Sequence, residues 1–122
     1  TNLKDFFSES AEEKLVFGPQ DYPVKEDDSG SVTWLVPSAQ KNSMEPILVS
    51  INPGASLEED DPHEGEEFGY VLSGKIVLHL GNSQKKCRKG DSFYFKPTMP
   101  HYIENTGKTP ALLLWVSTPP SF

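Results

Sequence analysis

Cysteine is nearly absent: Cys87 stands alone in 122 residues, so no disulfide within the chain can staple the fold. A lone cysteine fits a reducing compartment. No apolar run approaches the roughly 20 residues of a membrane helix, and no signal-peptide pattern opens the chain. Together these point to a cytoplasmic protein. Cations are also short, with 11 Lys and Arg against 18 Asp and Glu and a net charge of −7. Nucleic-acid affinity comes largely from phosphate neutralisation, so the chain itself is a poor binder of DNA or RNA. Its one basic cluster, Lys85-Lys86 with Arg88-Lys89, reads as a solvated strand edge. Cys87 lies between those cations with no His beside it, and reads as structural. Gly-rich phosphate loops, a Ser nucleophile elbow, zinc-finger spacing and internal repeats are all missing.

Long helical periodicity is missing too, which leaves strands. Short β-branched and aromatic runs recur between turn signals: 15–17, 31–36, 46–51, 68–72, 76–80, 93–95, 102–103 and 111–116. With 11 Pro and 9 Gly between them, this is the pattern of an all-β sandwich or barrel. Residues 21–31 are rich in Asp, Pro and Gly and read as a loop. Ser73-Gly74-Lys75 reads as a tight turn that pairs 68–72 with 76–80 as a hairpin. A chain of this length buries roughly two thirds of its unfolded surface and needs no second domain. We expect an arm or linker over 1–14, carrying Leu3, Phe6 and Phe7, and one barrel over 15–122.

Histidine is scarce, and its placement is informative. Of the three in the chain, His63 lies in Asp61-Pro62-His63-Glu64-Gly65-Glu66-Glu67. On an extended strand side chains alternate, which sets Asp61, His63 and Glu67 on one face. An imidazole and carboxylates aimed into a barrel make most of a site for Zn, Mn, Fe or Ni. His101, in a second strand-like run, is the natural further ligand. His79 alternates against Ile76, Leu78 and Leu80, so it belongs on the other side of its sheet.

These two runs resemble the paired motifs of the cupin superfamily, small jelly-roll β-barrels. His63, Glu67 and Gly74 match the first motif, with Asp61 where the family carries another His; Gly90, His101 and Asn105 match the second, with Pro97 displaced by one. The resemblance covers residues 30–122. Within cupins, Glu64 to Leu72 and the closing Trp115 to Phe122 look like the C-terminal sensor domains of XRE-type helix-turn-helix transcription regulators, similar to repressors of polyamine use. It implies a homodimer whose DNA-binding domain lies outside this chain, with Leu3 to Phe7 as the connecting segment.

A divalent metal held by His63, Glu67, His101 and Asp61 is therefore expected. Asp has a shorter reach than His, so Asp61 either ligates weakly, orients a ligand or faces solvent. Trp34, Phe93, Phe95, Tyr94 and Trp115 are the candidate pocket walls. An acidic, aromatic pocket suits a small-molecule effector such as an amine or polyamine, through ion pairing and cation–π contact. The competing reading is a small metal-dependent oxygenase or isomerase, for which the sequence singles out no acid or base: Glu66 alternates away from the site.

Overall fold

The computed structural model describes residues 14–122; the expected arm falls almost wholly on residues 1–13, outside the described residues. Among the described residues nine strands make two antiparallel sheets. The larger has the order β1-β2-β3-β9-β4-β7 and the smaller β6-β5-β8. In chain order they are β1 (Val24–Asp27), β2 (Gly30–Trp34), β3 (Glu45–Ile51), β4 (Glu66–Ser73), β5 (Lys75–Leu80), β6 (Ser83–Arg88), β7 (Ser92–Phe95), β8 (His101–Glu104) and β9 (Ala111–Thr118). The all-β, jelly-roll expectation holds. Among the described residues no helix is long and apolar enough to cross a membrane.

Alternation builds the core. In β3, Ile47, Val49 and Ile51 are buried while Pro46, Leu48 and Ser50 are not; in β9, Ala111, Leu113 and Trp115 repeat the pattern. These side chains meet Ile76, Leu78 and Cys87 of the smaller sheet, with Phe93, Phe95 and Ile103. Stacked inner faces of this kind are what hold two twisted sheets together. Gly69 sits in the middle of β4, opposite Phe93 on one side and Trp115 on the other. A Cβ there would lie 2.1 Å from the Phe93 ring. The missing side chain is the space in which those two rings meet edge to face, with centroids 6.2 Å apart.

Three expectations fail for physical reasons. Residues 15–17 form no strand, and residues 21–31, read as a loop, contain β1 and the start of β2. Every residue of β1 is exposed, so no buried face leaves an alternating trace; backbone pairing to β2 alone makes the strand. The third failure is the hairpin across Gly74. β4 pairs with β9 and β7, whereas β5 pairs with β6 and β8. Gly74, at φ +79°, turns the chain from one sheet into the other instead of folding it back. A hypothetical Cβ there would lie 2.9 Å from the Ala111 Cα, so the corner also needs the absence of a side chain.

Candidate metal centre

Residues 52–65 cross from β3 to β4 without forming a strand of their own. They run beside β8, touching it through isolated bridges at Ser56–Glu104 and Asp60–His101. Asp60 and His101 exchange both backbone hydrogen bonds, at 2.8 and 3.0 Å, and the His63 amide donates to the Pro97 carbonyl at 2.8 Å. The segment is thereby stitched against the strand that carries His101. β4 then delivers Glu67 from the opposite sheet, at a buried position.

The three side chains converge. His63 Nε2 lies 2.9 Å and His101 Nε2 3.2 Å from one atom, Glu67 Oε2. The ligand atoms of His63, Glu67 and His101 all fall within 4.8 Å of one another, and the trio forms a possible metal site. Each imidazole is oriented by its far nitrogen. His63 Nδ1 donates to the Glu64 carbonyl at 3.0 Å and His101 Nδ1 to the Met99 carbonyl at 2.9 Å, which frees both Nε2 lone pairs for the centre. Glu67 is held likewise: the Trp115 indole donates to Oε1 at 2.8 Å and leaves Oε2 facing the histidines.

Two observations test whether an ion fits. Glu67 Oε2 and His101 Nε2 are buried side-chain atoms without a hydrogen-bond partner, an arrangement costly unless something else satisfies them. Moreover, with metal–ligand bonds of about 2.1 Å, neighbouring ligands at right angles stand roughly 3.0 Å apart, close to both observed separations. Two imidazoles and one carboxylate, with remaining positions open, suit a borderline divalent ion.

Asp61 is exposed and is not one of the three clustered ligands. Its neighbour Asp60 approaches instead, with Oδ2 3.7 Å from His101 Nε2. The face shared by Asp61, His63 and Glu67 presumed a regular strand, but residues 61–63 have no ladder and Glu64-Gly65 form a bend. Partial burial raises the Asp60 pKa, opposed by His101 and His63 and assisted by Glu67 and Glu58. At His101 burial works against the imidazolium, yet the close approach of the Glu67 carboxylate, the Met99 carbonyl on Nδ1 and the charge of Asp60 prevail, so its pKa is raised. His79 lies elsewhere, stacked on Tyr102 with centroids 4.1 Å apart and bonded to Glu104 at 2.9 Å.

A cavity of about 310 Å³ opens beside the centre, with Asp60 in its wall. Trp34 and Trp115 line it, joined by Phe122 and aliphatic side chains of β2 and β3; Lys25, Asp27 and Glu58 add charge. Phe93 and Phe95 are core residues that do not line it, although Phe95 meets the His101 ring edge to face at 5.2 Å. Tyr94 points away altogether. It is 57% exposed and donates its hydroxyl to Glu66 on the outer face. Phe93, Tyr94 and Phe95 are successive residues of one strand, so they cannot share a side.

Sequence reasoning also passed over Glu45. It is buried at 1% exposure, accepts the Trp34 indole at 3.0 Å, and accepts the Ser121 and Phe122 amides at 2.9 and 2.7 Å. This carboxylate pins the tail into the cavity wall, where Phe122 packs on Trp115 with centroids 5.0 Å apart. The signal was available: Glu45 shares the parity of Ile47, Val49 and Ile51. Asn105, from the second motif, ties loops together, donating to the Ile51 and Thr109 carbonyls and accepting the Gly107 amide.

The model of the Cupin domain family matches residues 47–117. The chain belongs to the cupin family. It is 30% identical over 124 residues to the HTH-type transcriptional regulator PuuR of Escherichia coli, covering 99% of this cupin chain and 67% of that protein. The chain spans 62% to 67% of the length of the curated relatives it matches. Among solved structures, the Cupin_2 domain of an XRE family transcriptional regulator from Enterobacter cloacae superposes with a TM-score of 0.68 at 21% identity, covering 77% of this chain and all of that one. The enzyme structure described as FeII HppE gives 0.73 at 22% identity, covering 85% of this chain and 60% of its own. At these identities both likenesses show the fold, and regulator and enzyme cupins share it.

Proposed function

We propose that this chain is the sensor portion of a transcription regulator: a cupin barrel over 15–122, with the arm over 1–14 leading to a helix-turn-helix domain outside the sequence. In this reading His63, Glu67 and His101 hold a divalent ion, and a small-molecule effector occupies the adjoining cavity. The observation that carries it is the position of Asp60, which lines the cavity and also stands 3.7 Å from His101. One carboxylate therefore faces both the metal centre and the effector. The regulator relationship is supported by the 30% identity to PuuR across 99% of the chain.

The cavity's chemistry favours a cationic effector. Asp27, Glu58 and Asp60 supply negative charge in its wall, against the single cation Lys25 there, and Trp34 and Trp115 supply aromatic rings. An amine or polyamine gains ion pairs at one end and cation–π contact at the other. The ion supplies a fixed positive charge and open coordination positions; the protein orients the imidazoles, holds Glu67 through Trp115 and screens the centre from bulk water. Effector binding acts on DNA only by its differential affinity for two arrangements of the paired regulators.

The test has two arms. Elemental mass spectrometry on protein purified without added metal should find a first-row ion near one per chain, and a negligible content would refute the metal. Calorimetric titration with putrescine should give saturable heat, and its absence would remove the amine effector. A second reading is favoured by one specific feature: two imidazoles and a carboxylate are also the ligand set of non-haem iron oxygenases. Iron-dependent oxygen uptake in the presence of a candidate substrate would support that enzyme over the sensor.

A further inference from the structure

The basic run of β6 is more than the solvated strand edge expected of it. Arg88 and Lys89, at the end of that strand, meet Lys75, which opens β5, and Lys108, from the loop before β9. These four line one groove of about 430 Å³, together with Gly74, Gly107 and Thr109. An adjoining hollow shares Lys75 and Arg88 and adds Lys86. Five of the chain's 11 cations therefore gather at one place in a protein of net charge −7.

Two features set the cluster apart from an ordinary charged surface. The first is its lack of counter-charge. Lys75 stands directly opposite Arg88 across β5 and β6, a like-charge pairing that destabilises a ladder. None of the four forms an ion pair among the described residues. Asp91, in the turn after β6, accepts the Arg88 amide at 2.9 Å and does not line the groove. The second feature is a fixed frame. The Lys89 amide donates to the Gly74 carbonyl at 3.0 Å, and buried Asn105 holds the Thr109 carbonyl at 2.9 Å and the Gly107 amide at 2.8 Å. A Cβ on Gly107 would lie 3.3 Å from both Cγ and Cε of Lys75, so the lysine stem is laid across that glycine with its ammonium free.

We propose that this groove binds a compact polyanion of the diphosphate or triphosphate class, held by Lys75, Arg88, Lys89 and Lys108. A single phosphate monoester carries a charge of about −1.5 to −2; two or three linked phosphates match four cations better. Among the described residues no aromatic side chain lines the groove, so no base can stack there, and recognition falls on the phosphate chain. The same absence, with the acidic balance of the whole chain, disfavours nucleic acid. The site is separate from the metal centre: His101 pairs with Leu80, at the other end of β5 from Lys75, roughly 16 Å along the strand.

Calorimetric titration of the chain with sodium triphosphate at low salt should show one saturable site, with a Kd of order 0.1 mM, that weakens as salt is added. Adenosine triphosphate should bind equally well and adenosine not at all. Lys75→Glu and Lys108→Glu should each weaken binding by about 10-fold or more, whereas Lys75→Arg retains it. Lys41→Glu makes the same change of net charge outside the groove and should leave binding unchanged. All three lysines are exposed, and circular dichroism melts establish that the variants fold. The absence of saturable heat would overturn the proposal. So would binding that Lys75→Glu and Lys108→Glu leave intact, the outcome if triphosphate ligates an ion at His63, Glu67 and His101 instead. Equal weakening by Lys41→Glu would reduce the effect to net charge, a requirement for adenine would shift recognition to the base, and tighter binding of duplex DNA at equal phosphate concentration would make this a nucleic-acid surface; each of these also overturns it.

Discussion

β3 and the stretch that follows it, residues 52–65, differ in how closely they obey strand parity. β3 is paired to β9 along its whole length and to β2 from Ile47 to Ile51, and its burial alternates without a break from Glu45 to Ile51. The next residues run beside β8 through isolated bridges and scattered backbone hydrogen bonds such as Leu57 to Ile103, with no continuous ladder, and there alternation gives way to a bend at Glu64-Gly65. A continuous ladder fixes the orientation of every side chain, whereas isolated bridges fix only their own residues. The candidate metal centre draws on both regimes: Glu67 comes from a ladder strand and His63 from the irregular stretch.

The contrast can be broken most forcefully inside the ladder. Gly69→Ala sets a methyl group into the Phe93 ring at 2.1 Å, between two paired strands that cannot yield separately. We expect a loss of about 3 kcal/mol, read by thermal or urea denaturation. An unchanged melting temperature would mean that the ladder is softer than its register implies.

A smaller effect should follow where the ladder reaches into the centre. Trp115→Phe keeps most of the packing but withdraws the indole N–H from Glu67 Oε1. Metal affinity should fall about 10-fold, the low end of what is lost with a group that orients a ligand. Competition against a chromogenic chelator measures this. Equal affinity in the variant would show that Glu67 is held by its strand alone.

The smallest and sharpest comparison lies in the irregular stretch, between adjacent aspartates. Asp60→Asn should weaken metal or diamine binding by several-fold, up to about 10-fold, because its carboxylate stands near His101 and lines the cavity. Asp61→Asn, at an exposed position, should leave both unchanged. Calorimetry on the pair would reverse our assignment if the effects were exchanged.

The same contrast explains what could be read from the residues alone. Where strands are paired on both sides, composition and alternation locate them, as in β3 and β9. The jelly-roll architecture was legible only through the family resemblance that His63, Glu67, Gly74, Gly90, His101 and Asn105 carry. β1 was illegible because all four of its residues are exposed. Gly74 marked a turn correctly, but a glycine cannot say whether the next strand returns to the same sheet or enters the other. Asp60 was hidden because strand parity was applied to residues without a ladder. Tyr94 and Glu45 were different: both were legible from alternation, one outward between Phe93 and Phe95, the other inward with Ile47.

The indole hydrogen bonds have a practical consequence. The chain has two tryptophans, and both line the cavity, Trp34 bonded to Glu45 and Trp115 to Glu67. Ultraviolet emission excited at the red edge of protein absorption therefore arises entirely from this one chamber, with no background from indoles elsewhere. The protein carries its own optical probe, and quenching or a spectral shift would follow occupancy without any label.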